Sequence, residues 1–273
     1  MPRYFIELSY KGTAYSGFQI QENSVTIQSE LEHALEIFFK KPFALTGASR
    51  TDSGVHALQN FFHFDTDHFL KTSTMAGQSE FIAADFMKDS EQHLQTGQEE
   101  LSLKKCIYNI NAILPRDIAV KRIFRVNDDA HCRFDAVSRE YKYFIYRDKN
   151  PFLQDTAYYY PYQLNWIKLN EAASLLSGKK DFTSFSKRNT QVKNFICDVQ
   201  QSEWIIEESK LVYHVKANRF LRGMVKAMVG TMLRVGRGKI SIEEFRQIIQ
   251  QRDCLKSDFS VPSQALFLIA VNY

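Results

Sequence analysis

Arg50-Thr51-Asp52-Ser53-Gly54-Val55-His56 is the segment of this 273-residue chain with the clearest capacity for chemistry. Arg50 and Asp52 stand two residues apart, so in extended backbone both side chains point to one face. A guanidinium there keeps a neighbouring carboxylate ionised and oriented. An ionised, aimed carboxylate acts as a nucleophile or as a general base. Gly54 permits a tight turn that would hold such a side chain at the mouth of a cleft. The same residues also suit a structural Asx turn, in which Asp52 bonds only its own backbone, and taken alone the spacing favours that plainer reading.

Other chemistries find less support. Cys106, Cys132, Cys197 and Cys254 are far apart, form no C-x-x-C pair, and read as reduced thiols of a cytoplasmic protein. The seven histidines are scattered and no H-E-x-x-H occurs, so no metal site is expected. No apolar run approaches the ~18–20 residues of a membrane-spanning helix. The start, Met1 to Glu7, runs into a strand pattern rather than a signal peptide.

Charge is unevenly placed. Lys216, Arg219, Arg222, Lys226, Arg234, Arg237 and Lys239 fall in one stretch without a single acid, whereas residues 66–102 are acidic. A basic segment of this kind suits a polyanion held along a cleft, and equally an ordinary solvated surface. The 22 Phe and 13 Tyr are mostly core material, though the same rings can stack on nucleobases.

The elements that must position these groups follow from periodicity. Residues 3–10 alternate as a strand, and Ile27, Leu31, Ala34, Leu35 and Phe38 mark a helix from about Thr26 that Pro42 closes. Phe43–Gly47 and His56–Phe64 read as strands flanking the Asp52 loop. Residues 66–102 read as an insertion with a short helix around Glu80–Met87, dispensable for folding. A helix from Leu103 to Leu114 and strands at 118–126 and 138–147 come next. A helix over 169–176 stops at Gly178, and strands at 195–207 and 211–217 form a hairpin. A helix containing Phe220, Met224 and Val235 is capped by Gly236, Ser241-x-x-Glu244 is a capping box, and Leu266–Val271 is the last strand. Two sets of strands and helices in similar order predict an α+β fold. Two related halves, 1–115 with the loop 47–57 and 116–273, would share a central, mainly antiparallel sheet with a cleft between them.

The Asp52 segment closely resembles the R-T-D-x-G-V-H motif of the tRNA pseudouridine synthase A family. The likeness runs along nearly the whole chain outside residues 66–102. It is carried by Tyr10–Gln19, Asn109–Pro115, Asp117–Val120, His131–Phe134, Arg139–Tyr143, Asp181–Phe185 and Lys216–Val225, in order.

The resemblance implies the pseudouridine synthase fold and isomerisation of uridine in tRNA where the anticodon loop meets its stem. It implies a homodimer spanning the tRNA, and no cofactor. Asp52 would be the nucleophile that releases uracil from its ribose, with Arg50 beside it. Tyr141 would stack on the flipped base and assist loss of the C5 proton. Lys226 would be the site cation near the nucleophile. Leu266 would line the opposite wall, and Gln19, Val55, His56 and Phe220 would meet the substrate. Arg133 and Phe134, with Asn189, Thr190, Gln191, Val192 and Lys193, would contact the RNA.

Extrusion of a base from a stem costs a few kcal/mol, and stacking recovers ~1–3 kcal/mol of it. The isomerisation has no redox step and adds no external group. Three residues depart from the family: Ser49 where Gly is frequent, Lys226 where Arg is usual, and Ala265 where Gly is common. The alternatives are a non-catalytic RNA-binding protein, against which Asp52, Arg50 and Tyr141 together argue, and a synthase acting on another RNA.

Overall fold

In the first strand, β1 (Arg3–Tyr10), every residue but Arg3 and Ser9 is buried. A strand apolar on both faces belongs inside a sheet, and that is where β1 sits. The computed structural model describes residues 1–67, 97–188 and 192–273, excepting the side chains of 97–102. Its strands join one ten-stranded sheet in the order β4-β1-β3-β10-β5-β9-β8-β7. They are β2 (Thr46–Gly47), β3 (His56–Asp65), β4 (Ile118–Val126), β5 (Ser138–Tyr146), β6 (Tyr158–Tyr159), β7 (Gly178–Asp181), β8 (Ile196–Glu207), β9 (Lys210–Ala217) and β10 (Leu266–Asn272), with β2 and β6 off the main path on β3 and β5. Pairing is antiparallel except at β3–β10 and β5–β6.

Five helices accompany the sheet among the described residues: α1 (Ile27–Phe39), α2 (Gly97–Ile113), α3 (Trp166–Ser174), α4 (Met224–Gly236) and α5 (Ile242–Gln251). Strand register shows that they lie on one face. Ile6 pairs with Phe62, which stacks on Phe18 at 4.4 Å. On the other flank Tyr213 pairs with Tyr143 and Trp204 and points its hydroxyl at Met228 of α4. The opposite face carries the Phe5, Phe61, Phe124 and Tyr273 rings and the Glu7–Arg122 and Lys142–Glu207 ion pairs.

The expected α+β fold with a mainly antiparallel sheet is what the chain forms, but several element ends move. Lys40, in the left-handed region at φ 57, caps α1 before Pro42 is reached. Only Thr46–Gly47 of the expected Phe43–Gly47 strand pairs, and the Phe43 ring packs edge-on to Phe64 at 5.5 Å. β4 pairs antiparallel with β1 and ends the strand order on that flank. Helix α2 takes in residues 97–102 of the expected insertion, and the helix expected at Glu80–Met87 lies outside the described residues. Gly178 opens β7 instead of closing α3.

Phe220 precedes α4, whose N-cap is Gly223, and Gly236 is helical. The helix closes one step later. The Gly238 N–H bonds Val235 and the Lys239 N–H bonds Arg234, a Schellman pair with Gly238 at φ 69. No helix among the described residues is long and apolar enough to cross a membrane.

Candidate active site

The Asp52 loop is held from below by side chains on the strands beneath it. Tyr10 at the end of β1 and Asn60 in β3 are both buried. The Asn60 Nδ2 donates to the Ser49 carbonyl at 2.8 Å and to the Tyr10 hydroxyl at 3.1 Å. The Tyr10 hydroxyl in turn meets Thr51 Oγ1 at 2.8 Å. From the side, Phe18 N–H donates to the Thr51 carbonyl at 3.1 Å and Ser53 Oγ donates to the Tyr15 carbonyl at 3.0 Å. These bonds surround one residue, Asp52, on both sides.

The turn itself is closed by main chain: Val55 N–H donates to the Asp52 carbonyl at 3.1 Å, with Gly54 at φ 80. That is a turn needing positive φ at its third residue, which glycine adopts without strain. No hydrogen bond from the loop backbone reaches the Asp52 carboxylate among the described residues, so the Asx-turn reading does not hold. Gly12 meets the same loop closely. A Cβ there would stand 2.0 Å from the Val55 carbonyl oxygen, so no side chain fits without moving the backbone.

The cation beside the carboxylate is not the one the spacing suggested. Arg222 Nε lies 4.0 Å from Asp52 Oδ1, and the Asp52 side chain retains 33% exposure. Arg50 is exposed and makes no ion pair with Asp52 within 4.0 Å. It belongs to a group of guanidiniums with Arg133, Arg139 and Arg219. Burial, followed by the charges of Arg50, Arg139 and Arg219, holds Arg133 below its ordinary value.

Lys226, on the first turn of α4, faces the same place. Its ammonium donates to Ser263 Oγ at 3.1 Å. Burial and the charge of Lys187 push its pKa down, against the pull of Asp52. The Lys187 stem lies over Gly223 at the helix start, and its N–H donates to the Arg222 carbonyl at 2.9 Å.

Tyr141 in β5 is buried at 8% exposure, its ring edge-on to Phe220 at 4.9 Å. Burial, then Tyr10 and Asp52, raises its phenol well above the ordinary value, so it stays protonated. Leu266 opens β10 opposite Tyr143, close to the Asp52 turn through its neighbours Ser263 and Gln264.

The RNA-facing candidates divide. Phe134 is 74% exposed with the Arg133 guanidinium over its ring at 5.8 Å. Arg139 clamps this loop by donating to the carbonyls of Arg133 and Ala136, and to Asn218. Gln19 and Lys193 are exposed, and Val192 packs partly on the core. Asn189, Thr190 and Gln191 lie outside the described residues.

His56 and Val55 do not face the cleft. His56 is 1% exposed, accepts the Gly12 N–H at Nδ1 (3.0 Å), and bonds the Asp155 and Gln264 carbonyls at Nε2, both at 2.9 Å. That pattern fixes the neutral tautomer with its proton on Nε2 and leaves nothing for RNA. Val55 is 3% exposed.

The cations of residues 216–239 likewise fail to form one stripe. Arg219, Arg222 and Lys226 gather at the start of α4, while Arg234 and Arg237 stand at its end. There the Arg237 guanidinium stacks on Tyr162 at 3.8 Å.

One cluster escaped the sequence. His63, His131 and Cys132 bring potential ligand atoms within 4.8 Å. Their polar atoms already have internal uses: Cys132 Sγ meets the Thr46 carbonyl, Cys132 N–H donates to His63 Nδ1, and Arg133 N–H donates to His131 Nδ1. This network braces the base of the Arg133–Phe134 loop.

Residues 172–273 match the family model described as tRNA pseudouridine synthase. The chain is 43% identical to the tRNA pseudouridine synthase A of Bacteroides fragilis, over 99% of this chain and 96% of that protein. It is 41% identical to the protein of the same name from Parabacteroides distasonis (100% and 96%), and 33% identical to that of Bacillus subtilis (97% and 97%).

Proposed function

The chain belongs to the tRNA pseudouridine synthase A family and isomerises uridine in tRNA, and from that premise we propose that Asp52 is the nucleophile. The observation that carries this is a partly exposed carboxylate on a loop bonded on both sides, facing two cations and a protonated tyrosine.

In this reading an Asp52 oxygen bonds C1′ of a flipped-out uridine while the C1′–N1 bond breaks, its electron pair leaving on the uracil. The base turns, C5 bonds C1′, and the Asp52 oxygen departs with its pair. The C5 proton is lost and N1 gains one, so the product is an isomer and no co-reactant is consumed. Tyr141 supports the turned base and lies near the C5 proton. Arg222 and Lys226 place positive charge beside the carboxylate. Arg133 and Phe134 hold the RNA by charge and stacking.

The proposal extends to a cytoplasmic homodimer that spans the tRNA and acts where the anticodon loop meets its stem. Purified enzyme and unmodified tRNA test it by mapping pseudouridine. Asp52→Asn is expected to bind tRNA near wild-type affinity and to form no product, because the amide is isosteric but a poor nucleophile. Product from that variant, or product only outside the anticodon stem-loop, would overturn the corresponding part.

A further inference from the structure

Ser263 sits where two parts of the site meet. It opens the 3-10 turn Ser263–Ala265 that leads into β10. On one side it accepts a hydrogen bond from the Lys226 ammonium at 3.1 Å. On the other it lies against the Asp52 turn, its Cβ 3.2 Å from where a Cβ of Gly54 would stand. One hydroxyl therefore links the cation on α4 to the turn that carries the carboxylate.

Lys226 needs such an anchor. Its four-carbon stem is rich in rotamers, and a lysine is a point charge without a planar fork to fix its direction. The charged groups facing it act in opposite senses. Asp52 attracts the ammonium and Lys187, lying over Gly223, repels it. Arg222, 4.0 Å from Asp52, competes for the same carboxylate. A fixed acceptor decides where the lysine charge stands among them.

We propose that Ser263 is a positioning residue for the isomerisation, holding Lys226 at a set place beside Asp52. This rests on the reading of Asp52 as nucleophile. Ser263 makes no polar contact with Asp52 itself and acts through the lysine.

The experiment is a two-by-two comparison of Ser263→Ala with Lys226→Ala, read as single-turnover pseudouridine formation at saturating enzyme across pH. Ser263→Ala is expected to slow the reaction roughly tenfold, the worth of one hydrogen bond to a charged group, with tRNA affinity near wild type. Its alkaline limb should move to lower pH, because the ammonium loses an acceptor that favours its charged form. Ser263→Thr, which keeps the hydroxyl, should restore most of the rate.

In the Lys226→Ala background, Ser263→Ala should add nothing further. Equal slowing in both backgrounds would assign Ser263 to loop packing and overturn the proposal, as would full rate in the single variant. Pseudouridine formation by Asp52→Asn would instead overturn the reading of Asp52 as nucleophile, before any Ser263 variant is compared.

Discussion

Tyr10→Phe removes a single oxygen atom, yet that atom is the junction of the network under the Asp52 loop. It accepts from Asn60 Nδ2 at 3.1 Å and meets Thr51 Oγ1 at 2.8 Å. The three side chains are 5%, 0% and 7% exposed, so water cannot replace what is lost. One Asn60 N–H and the Thr51 hydroxyl are left buried without their partner. Each such group costs about 1–3 kcal/mol, which gives roughly 2–4 kcal/mol for the pair once side-chain adjustment is allowed. In a chain of this length that corresponds to a fall of roughly 5–10 °C in Tm.

The rate should suffer as well. Thr51 adjoins Asp52, and a displacement of about 1 Å at a reacting group can cost on the order of a hundredfold. Thermal unfolding and single-turnover kinetics measure the two effects separately. The double variant Tyr10→Phe/Thr51→Val, which deletes both partners, should be less destabilised than the sum of the singles. Stability of Tyr10→Phe within about 0.5 kcal/mol of wild type would refute the view that this network holds the loop.

His63 makes the fold sensitive to acid. Burial holds its imidazole down from 6.5 to about 4, so between those values the unfolded chain binds the extra proton and the folded chain does not. Stability is complete above about 6.5 and falls as pH drops towards about 4, by up to about 3 kcal/mol. His63→Asn, which keeps an acceptor for the Cys132 N–H, should flatten urea-midpoint slopes over that window; an unchanged slope would remove His63 as the cause. At the RNA face, Arg133→Ala should reduce the salt slope of tRNA affinity by roughly 0.7–0.9, and Phe134→Ala should weaken binding by ~1–3 kcal/mol with the slope unchanged. Identical salt behaviour in the two variants would contradict that division between charge and stacking.

Local patterns were legible where the causes are local. The 3.6-residue spacing from Ile27 to Phe38 gave α1, and the Ser241–Glu244 capping box opens α5 as its residues foretold. The hairpin β8–β9 was visible from its strands even though its turn uses Glu208 and Ser209 at positive φ instead of glycine. What the chain could not show is what topology brings from afar. Arg222 reaches Asp52 from the short connection between β9 and α4, and periodicity carries no sign of that meeting. The basic run from Lys216 to Lys239 looked continuous as text. A 13-residue helix separates its ends by roughly 20 Å at 1.5 Å per residue, so one run becomes two groups. His56 lies within a motif of otherwise chemical residues, and only its three internal bonds reveal a brace. Ser49, the departure from the family's glycine, ends with its hydroxyl buried and unpartnered among the described residues.

The parallel contact between β3 and β10 spans only Phe267 with His56 and Leu268 with Ala57, yet it joins the two flanks of the sheet. β10 comes after every strand it must lie between, and it occupies the middle of the sheet rather than an edge. On a ribosome, β1, β3 and β4 can pair as soon as they emerge, and β5, β8 and β9 can do the same. No strand of one group pairs with a strand of the other until the segment from Ser263 to Asn272 inserts. Assembly of the Asp52 turn with Ser263 and Lys226 is thus a late, long-range event, the slow kind of strand pairing. A nascent chain stalled short of β10 would expose the inner edges of β3 and β5 to other chains. The enzyme therefore becomes competent only once its synthesis has passed the residues that close the sheet.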